Sequence, residues 1–108
     1  MRNNPDLASL FDLSDEAIRR EKQKASDLRQ TQWWKNRRAC NQCYYCQLPF
    51  PAKTLTMDHV VPLSRGGKST KSNLVPCCKE CNNLKKNLLP LEWEHYLQRL
   101  RNQSIHDA

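Results

Sequence analysis

Four cysteines stand in two pairs whose spacing suits a metal ion. Cys43-x-x-Cys46 and Cys78-x-x-Cys81 each separate two thiols by two residues, and 31 residues lie between the pairs. This gap lets both thiolates of a pair reach one tetrahedral ion, and four thiolates complete the shell of a structural zinc without a water ligand. Four buried or disulfide-bonded cysteines are the weaker alternative, because two such pairs seldom arise together by accident. We therefore predict a structural Zn²⁺ bound by Cys43, Cys46, Cys78 and Cys81.

Two further cysteines leave the register of these pairs open. Cys40 stands three residues before Cys43, which is the same spacing, and Cys77 adjoins Cys78. Spacing alone does not choose between them. We choose Cys43 with Cys46 because the segment "CYYC" suits a metal-binding turn, and we interpret Cys40 and Cys77 as spare thiols.

A second group of polar residues lies between the cysteine pairs or beside them. A zinc that joins the two pairs closes the chain into a loop and gathers Asp58, His59, Asn73 and Asn82 into one neighbourhood. Asp and Asn offer the hard oxygen ligands that Mg²⁺ prefers. A neutral imidazole, with a reference pKa of about 6.5, can take a proton from water. Each residue alone has an ordinary role in a turn, loop or surface, but together they predict a hydrolytic site.

Basic residues accompany this group. On a helix, Lys85 and Lys86 follow Asn82 at i+3 and i+4 and share its face, while Arg65 and Lys68 lie in the glycine-containing loop. We predict that these four basic residues contact nucleic acid, through phosphates rather than bases. The net charge of +7 and the pI near 9.3 also favour a polyanionic partner.

The basic residues are spread along the whole chain. Residues 1–38 contain nine Lys and Arg against six Asp and Glu, and residues 39–108 contain nine against five. The positive charge therefore does not come from a basic tail. The sequence shows neither a secretory signal nor an apolar run of membrane-spanning length. We expect a cytoplasmic protein associated with DNA in the nucleoid, neither secreted nor bound to a membrane.

The elements that must position these residues are short. With 108 residues and 38% hydrophobic composition, the chain can form one small core, which metal binding would supplement. We predict a helix over residues 15–38 with Ser14 as its N-cap, strands over residues 54–57 and at "NLVP", a helix within "CKECNNLKKNLL", and a last helix over residues 91–101. We divide the chain into a basic helical extension (1–38), a core with its C-terminal helix (39–102) and a tail (103–108).

The adjacent pair Asp58 and His59 poses a geometric problem. In an unbroken strand these neighbours would point to opposite faces. For both to act on one phosphate, the first strand must end or bend at this pair, and the following "VVP" and glycine loop offer a place for that.

The segment "LTMDHVVPLSRGGKSTKSNLVPCCKECNNLKK" resembles the core of the HNH endonucleases. The resemblance covers about residues 43–87, with Asp58, His59, Asn73 and Asn82 at the positions of the family motif. It implies an α+β protein with a small ββα-metal core, in which a strand hairpin packs on a helix around one catalytic divalent ion. The structural zinc, a long N-terminal helix and a C-terminal helix complete the expected fold.

The resemblance also implies roles for the site residues. His59 would be the general base, Asp58 and Asn82 would bind the catalytic ion, and Asn73 would hydrogen-bond within the hairpin loop and help to fix His59. Many members of the family carry histidine where Asn82 stands. Because an amide oxygen is a hard, neutral ligand, Asn82 favours Mg²⁺ or Mn²⁺ over softer ions.

We therefore predict a metal-dependent DNA endonuclease or nickase. Its substrate is expected to be double-stranded DNA. Because so small a unit has little surface for specificity, we expect it to be weakly specific, to act as a homodimer, or to belong to a larger assembly that selects the target. The alternative is a non-catalytic zinc module that binds nucleic acid, which leaves the adjacent Asp58 and His59 unexplained. A third, weaker reading is a zinc-stabilised protein-interaction domain.

Overall fold

The computed structural model describes residues 13–107 of the chain, and side chains up to residue 103. Residues 1–12, the start of the predicted basic extension, lie outside the described residues. In chain order the helices and strands are α1 Asp15–Arg29, α2 Gln32–Arg38, β1 Thr56–His59, β2 Leu74–Cys77, α3 Lys79–Lys85 and α4 Pro90–Asp107.

The predicted N-terminal helix is divided into two. α1 begins as expected, where the Ser14 side chain accepts a hydrogen bond from the Ala17 N–H at 3.1 Å. It ends because the Thr31 hydroxyl donates to the Leu28 carbonyl at 2.6 Å and accepts from the Trp34 N–H at 3.3 Å, which caps the start of α2. The prediction of one helix over residues 15–38 is therefore wrong at Thr31. Trp34 is buried, and α2 contacts β2.

β1 and β2 form an antiparallel hairpin. Thr56 pairs with Cys77 and His59 with Leu74, and every residue of β2 is buried. β1 begins two residues later than predicted, because residues 52–54 form a 3₁₀ turn. The strand ends at His59, which confirms the expectation that it finishes at the Asp58 and His59 pair.

The C-terminal half supplies two helices and much of the core. α3 begins after Cys78, and α4 begins at Pro90. α4 extends to Asp107, so the predicted end of the last helix at residue 101 is wrong. Trp93 of α4 packs in a buried core with Cys43, Cys77, Cys78 and Cys81. The partly buried side chains that flank this core are Tyr45, Phe50, Leu88, Tyr96 and Leu97.

The arrangement is the predicted α+β fold. It has a two-stranded sheet, helices before and after the two strands along the chain, and a four-cysteine cluster. Among the helices that the structure describes, none combines the length and apolar character needed to cross a membrane.

Candidate functional site

Four cysteine side chains converge on one point. The sulfur atoms of Cys43, Cys46, Cys78 and Cys81 all lie within 4.8 Å of one another. Burial disfavours the Cys43 thiolate, but the backbone N–H groups of Cys46, Cys78 and Tyr45 outweigh it and lower the pKa of Cys43 to about 7. Four sulfurs at this separation match the ligand set of a structural Zn²⁺. The predicted gathering of these four cysteines is confirmed.

The other two cysteines do not join this convergence of sulfur atoms, although Cys77 lies in the same buried core as Cys43, Cys78 and Cys81. Cys77 is buried in β2 with its sulfur 3.6 Å from the Thr56 hydroxyl, and burial raises the pKa of its thiol to about 12. Cys40 is exposed, with its sulfur 3.4 Å from the Gln42 carbonyl oxygen. The structure thus agrees with the choice of Cys43 and Cys78 over their neighbours.

Asp58 lies at the end of β1 in a charged cluster. Its Oδ2 accepts a hydrogen bond from the Tyr45 hydroxyl at 2.5 Å and pairs with the Lys85 ammonium at 3.1 Å. Lys85 also donates to the His59 carbonyl oxygen at 3.1 Å and lies over the Tyr45 ring. The lysine therefore fixes both the Asp58 carboxylate and the backbone of the next residue.

The position of Lys85 corrects one expectation. Its side chain is only 1% exposed, because α3 turns this lysine toward β1 rather than toward solvent. It cannot reach a phosphate from there, so it is not available for the nucleic-acid contact that we predicted. Lys86, the next residue, is exposed. The predicted shared face of the two lysines is lost because α3 ends between them and Lys86 has a φ of 48°.

Asn82 lies one turn before Lys85 and packs on the same strand. Its Nδ2 donates to the Thr56 hydroxyl at 3.1 Å. Thr56 and Asp58 are two residues apart in β1 and therefore share a face, which brings Asn82 and Asp58 to the same side of the hairpin. Asn82 therefore lies against Thr56, and Lys85 lies against Asp58.

Asp58 and Asn82 carry the types of oxygen that a hard divalent ion binds. The hydrogen bond from Tyr45 and the ion pair with Lys85 both fall on Oδ2 of Asp58, so Oδ1 is the oxygen left for a ligand among the described contacts. The amide nitrogen of Asn82 donates to Thr56, which leaves the amide oxygen of Asn82 as the ligand atom of this side chain. One carboxylate and one amide oxygen, completed by water, are a donor set suited to Mg²⁺ or Mn²⁺.

The His59 side chain contacts the loop that follows β1. Its Nε2 lies 2.9 Å from the Ser69 hydroxyl oxygen. Burial lowers the pKa of His59, and the nearby charges of Asp58 and Glu21, which act in the opposite direction, do not reverse the shift. The imidazole is therefore neutral near pH 7 and has one nitrogen able to accept a proton.

Asn73 holds the loop that follows His59. Its Oδ1 accepts from the Val61 N–H at 2.9 Å, and its Nδ2 donates to the carbonyls of Val61 and Lys68 at 3.0 and 2.9 Å. It thereby ties the two ends of the loop together, two residues beyond His59. These bonds agree with the loop-fixing part of the role that the family resemblance implies.

The two glycines of this loop are needed for different reasons. Gly66 adopts a φ of 93°, which favours glycine over residues with a side chain. Gly67 lies against the strand exit, where an added Cβ would stand 1.8 Å from the Val61 carbonyl oxygen. The loop can close over the end of β1 only without a side chain at residue 67.

Asp58 and His59 open into one cavity of about 450 Å³. Its other walls are the start of the loop, Lys86 with its neighbour, and three residues of α1: Asp15, Ile18 and Lys22. The exposed residue Lys68 lies elsewhere on the loop, and Arg65 forms an ion pair with Glu92 at 2.9 Å while remaining 40% exposed.

Sequence reasoning missed three residues near the cavity. Tyr45 lies within the "CYYC" segment and was interpreted only as context for the metal. Ser69 had no distinguishing neighbour in sequence. Glu21 carried a usable signal, because Ala17, Glu21 and Ala25 recur every four residues and form the buried stripe of α1.

Comparison with known proteins agrees with the site geometry. A family model described as HNH endonuclease matches residues 43–97. The CRISPR-associated endonuclease Cas9 of Corynebacterium diphtheriae is 43% identical over 47 residues, which are 43% of this chain and 4% of that protein. The chain thus spans a small fraction of this relative's length. Both cysteine pairs, Asp58 and His59 fall within the family match, whereas α1 lies outside it.

Proposed function

Because the chain belongs to the HNH endonuclease family, we propose that it is a metal-dependent nuclease that hydrolyses phosphodiester bonds in DNA. The observation that carries the proposal is the shared cavity of Asp58 and His59 at the end of β1. A carboxylate and a neutral imidazole that face one space are the groups needed for metal-assisted hydrolysis of a phosphate.

In this proposal His59 is the general base. Its lowered pKa supports this role, because the neutral ring is the form that accepts a proton from the attacking water. Asp58 and Asn82 would hold Mg²⁺ or Mn²⁺, and a bound ion would polarise the scissile phosphate and stabilise the leaving oxygen. Asn73 keeps the loop closed so that His59 stays at the edge of the cavity.

DNA is proposed as the substrate on the basis of charge. Lys22 and Lys86 line the cavity and can neutralise phosphates there, and the loop residues Arg65 and Lys68 can make further backbone contacts. We expect double-stranded DNA, nicked or cut, in the cytoplasm where the cell's DNA lies. Target selection would fall to a homodimer or a larger assembly, because these contacts read no bases.

One observation favours a second candidate. Lys85 already pairs with the Asp58 carboxylate, and a cation in that position competes with a divalent ion. A non-catalytic zinc module that binds nucleic acid through its +7 charge would need no such ion. This candidate leaves the neutral His59 at the cavity without a role.

The proposal is tested by relaxation of supercoiled plasmid in Mg²⁺ and in Mn²⁺. We expect His59→Ala to lower the rate at least about 100-fold, the usual contribution of a general base, with zinc content and DNA affinity close to wild type. His95→Ala is the matched control, because His95 is exposed on α4, and it should cut like wild type. Continued cutting by His59→Ala would remove the base assignment. A wild-type protein that binds plasmid but leaves it intact in both ions would favour the second candidate.

A further inference from the structure

A carboxylate of α1 is buried against the loop beside the cavity. Glu21 is 8% exposed and Ser69 is 7% exposed. The Ser69 N–H donates to Glu21 Oε1 at 2.6 Å, and the Ser69 hydroxyl donates to the Glu21 backbone carbonyl at 2.5 Å. Two short bonds therefore fasten α1 to the loop across 48 residues of sequence.

The same Ser69 hydroxyl contacts the ring of His59. A serine hydroxyl has one proton to donate, and the Glu21 carbonyl receives it. The 2.9 Å contact between Ser69 Oγ and His59 Nε2 must then be a bond in which the imidazole donates. A neutral imidazole carries one N–H, so that the lone pair available for a proton lies on Nδ1.

We propose that Ser69 and Glu21 are positioning residues that hold His59 as the Nε2–H tautomer, with Nδ1 as the basic nitrogen. α1 thereby completes the catalytic site, although it lies outside the residues matched by the family model. The inference rests on the proposed role of His59 as general base, but the tautomer itself can be measured without any cleavage.

The composition of α1 supports this role. A helix that only packed on the loop would be expected to bury apolar side chains, because a buried carboxylate costs free energy unless it is well paired. The buried stripe of α1 instead carries Glu21 between two small residues, Ala17 and Ala25, which let the helix backbone approach the loop. Lys24 forms an ion pair with Glu21 at 3.0 Å from the outer side. The carboxylate is thus held in its charged form while its other oxygen faces Ser69.

The test uses NMR and kinetics on the full chain. Long-range ¹H–¹⁵N correlations of the His59 ring at about pH 8.5, well above the reference histidine pKa of about 6.5, distinguish the two tautomers. Wild type should give the Nε2–H pattern, and Ser69→Ala should give a mixture. In plasmid cleavage, Ser69→Ala should lower kcat at least about tenfold, as for other residues that orient a site ligand, with KM little changed.

Three further variants keep the inference open to refutation. Ser69→Thr restores the hydroxyl and should recover both the tautomer and most of kcat. Glu21→Ala keeps the backbone carbonyl that accepts from the Ser69 hydroxyl but removes the carboxylate that accepts from the Ser69 N–H. It therefore loosens Ser69 and should shift the tautomer in the same direction, by less than Ser69→Ala. Ser72→Ala is the matched control, since Ser72 is exposed and its hydroxyl contacts Thr70, and it should behave like wild type. Zinc content and tryptophan fluorescence report whether each variant is folded.

The outcomes separate this inference from the proposed function. An Nδ1–H tautomer in wild type, or an unchanged tautomer and kcat in Ser69→Ala, would overturn the inference while leaving a nuclease intact. A wild-type protein that never cuts would refute the proposed function, and the ring correlations of wild type and Ser69→Ala would still decide whether Ser69 sets the tautomer.

Discussion

At the scale of single residues, the surprise is the partner of Asp58. The sequence places Asn82 and Lys85 three positions apart on one helix, and either could face the strand. The structure turns both toward β1, so that Lys85 meets Asp58 and Asn82 meets Thr56. Which of two helix positions opposes a given strand residue depends on how the helix is docked, and no local pattern in the sequence specifies that.

The Lys85 and Asp58 pair leads to a stability prediction. Lys85→Met keeps the length of the aliphatic stem but removes the ammonium, leaving the Asp58 carboxylate with a side-chain exposure of only 12% and without its cationic partner. We expect a loss of about 3 kcal/mol in the free energy of unfolding, as for other partners removed from buried ion pairs. Urea denaturation followed by tryptophan fluorescence measures it.

Lys79→Met provides the control for this prediction. Lys79 is exposed on the same helix, α3, so its substitution should change the free energy of unfolding by less than about 0.5 kcal/mol. Equal stabilities for the two variants would mean that the ion pair between Lys85 and Asp58 contributes nothing to the fold.

At the scale of elements, the loop between β1 and β2 connects the proposed catalytic residues to α1. Asn73 closes it, Ser69 contacts His59 and Glu21, and Gly67 lets it lie against the strand exit. The sequence indicated a polar loop with two glycines, residues that can adopt a positive φ. It did not distinguish their roles, because a close approach of two backbones is a tertiary feature whereas a positive φ is a local one.

The two glycines offer a matched pair of substitutions. In Gly66→Ala the new Cβ meets nothing within 4 Å, but φ is 93°, so we expect a cost of about 1 kcal/mol. In Gly67→Ala the Cβ would overlap the Val61 carbonyl, and the backbone must move, so we expect about 3 kcal/mol. Thermal unfolding compares the two. A larger loss for Gly66→Ala would contradict the close approach at Gly67.

Other elements were predictable to differing degrees. The start of α1 was predictable from Ser14 and the acidic residues Asp15 and Glu16 that follow it. The break at Thr31 was not, because it depends on one hydroxyl that bonds both to the end of α1 and to the start of α2. β1 was displaced by two residues because the 3₁₀ turn before it has no sequence signal of its own. The placement of α1 on the core could not be predicted, since its contact with Ser69 joins residues 48 positions apart.

At the scale of the whole molecule, the chain is thin. Its principal extents are 57, 38 and 18 Å, and its radius of gyration is 16.4 Å, compared with about 13 Å for a compact chain of this length. A flattened molecule of this size buries little apolar surface. Three of the four converging cysteines, Cys43, Cys78 and Cys81, lie in the buried core together with Trp93 of α4. This was the part of the site that the sequence specified best, because two pairs of the Cys-x-x-Cys type indicate convergence on one ion, even though spacing left the register of the pairs open.

Removal of zinc should therefore unfold the core rather than merely empty a site. We expect a strong chelator to abolish the near-ultraviolet circular dichroism of Trp93 and to lower the melting temperature, with recovery when Zn²⁺ is added back, because the binding free energy of a structural zinc is folding free energy. Cys81→Ser should reproduce the loss in the absence of chelator. Cys40→Ser changes an exposed thiol outside the cluster and should melt like wild type. If the chelated protein kept its Trp93 signal, apolar packing alone would account for the fold, and the four thiols would be free to serve another purpose.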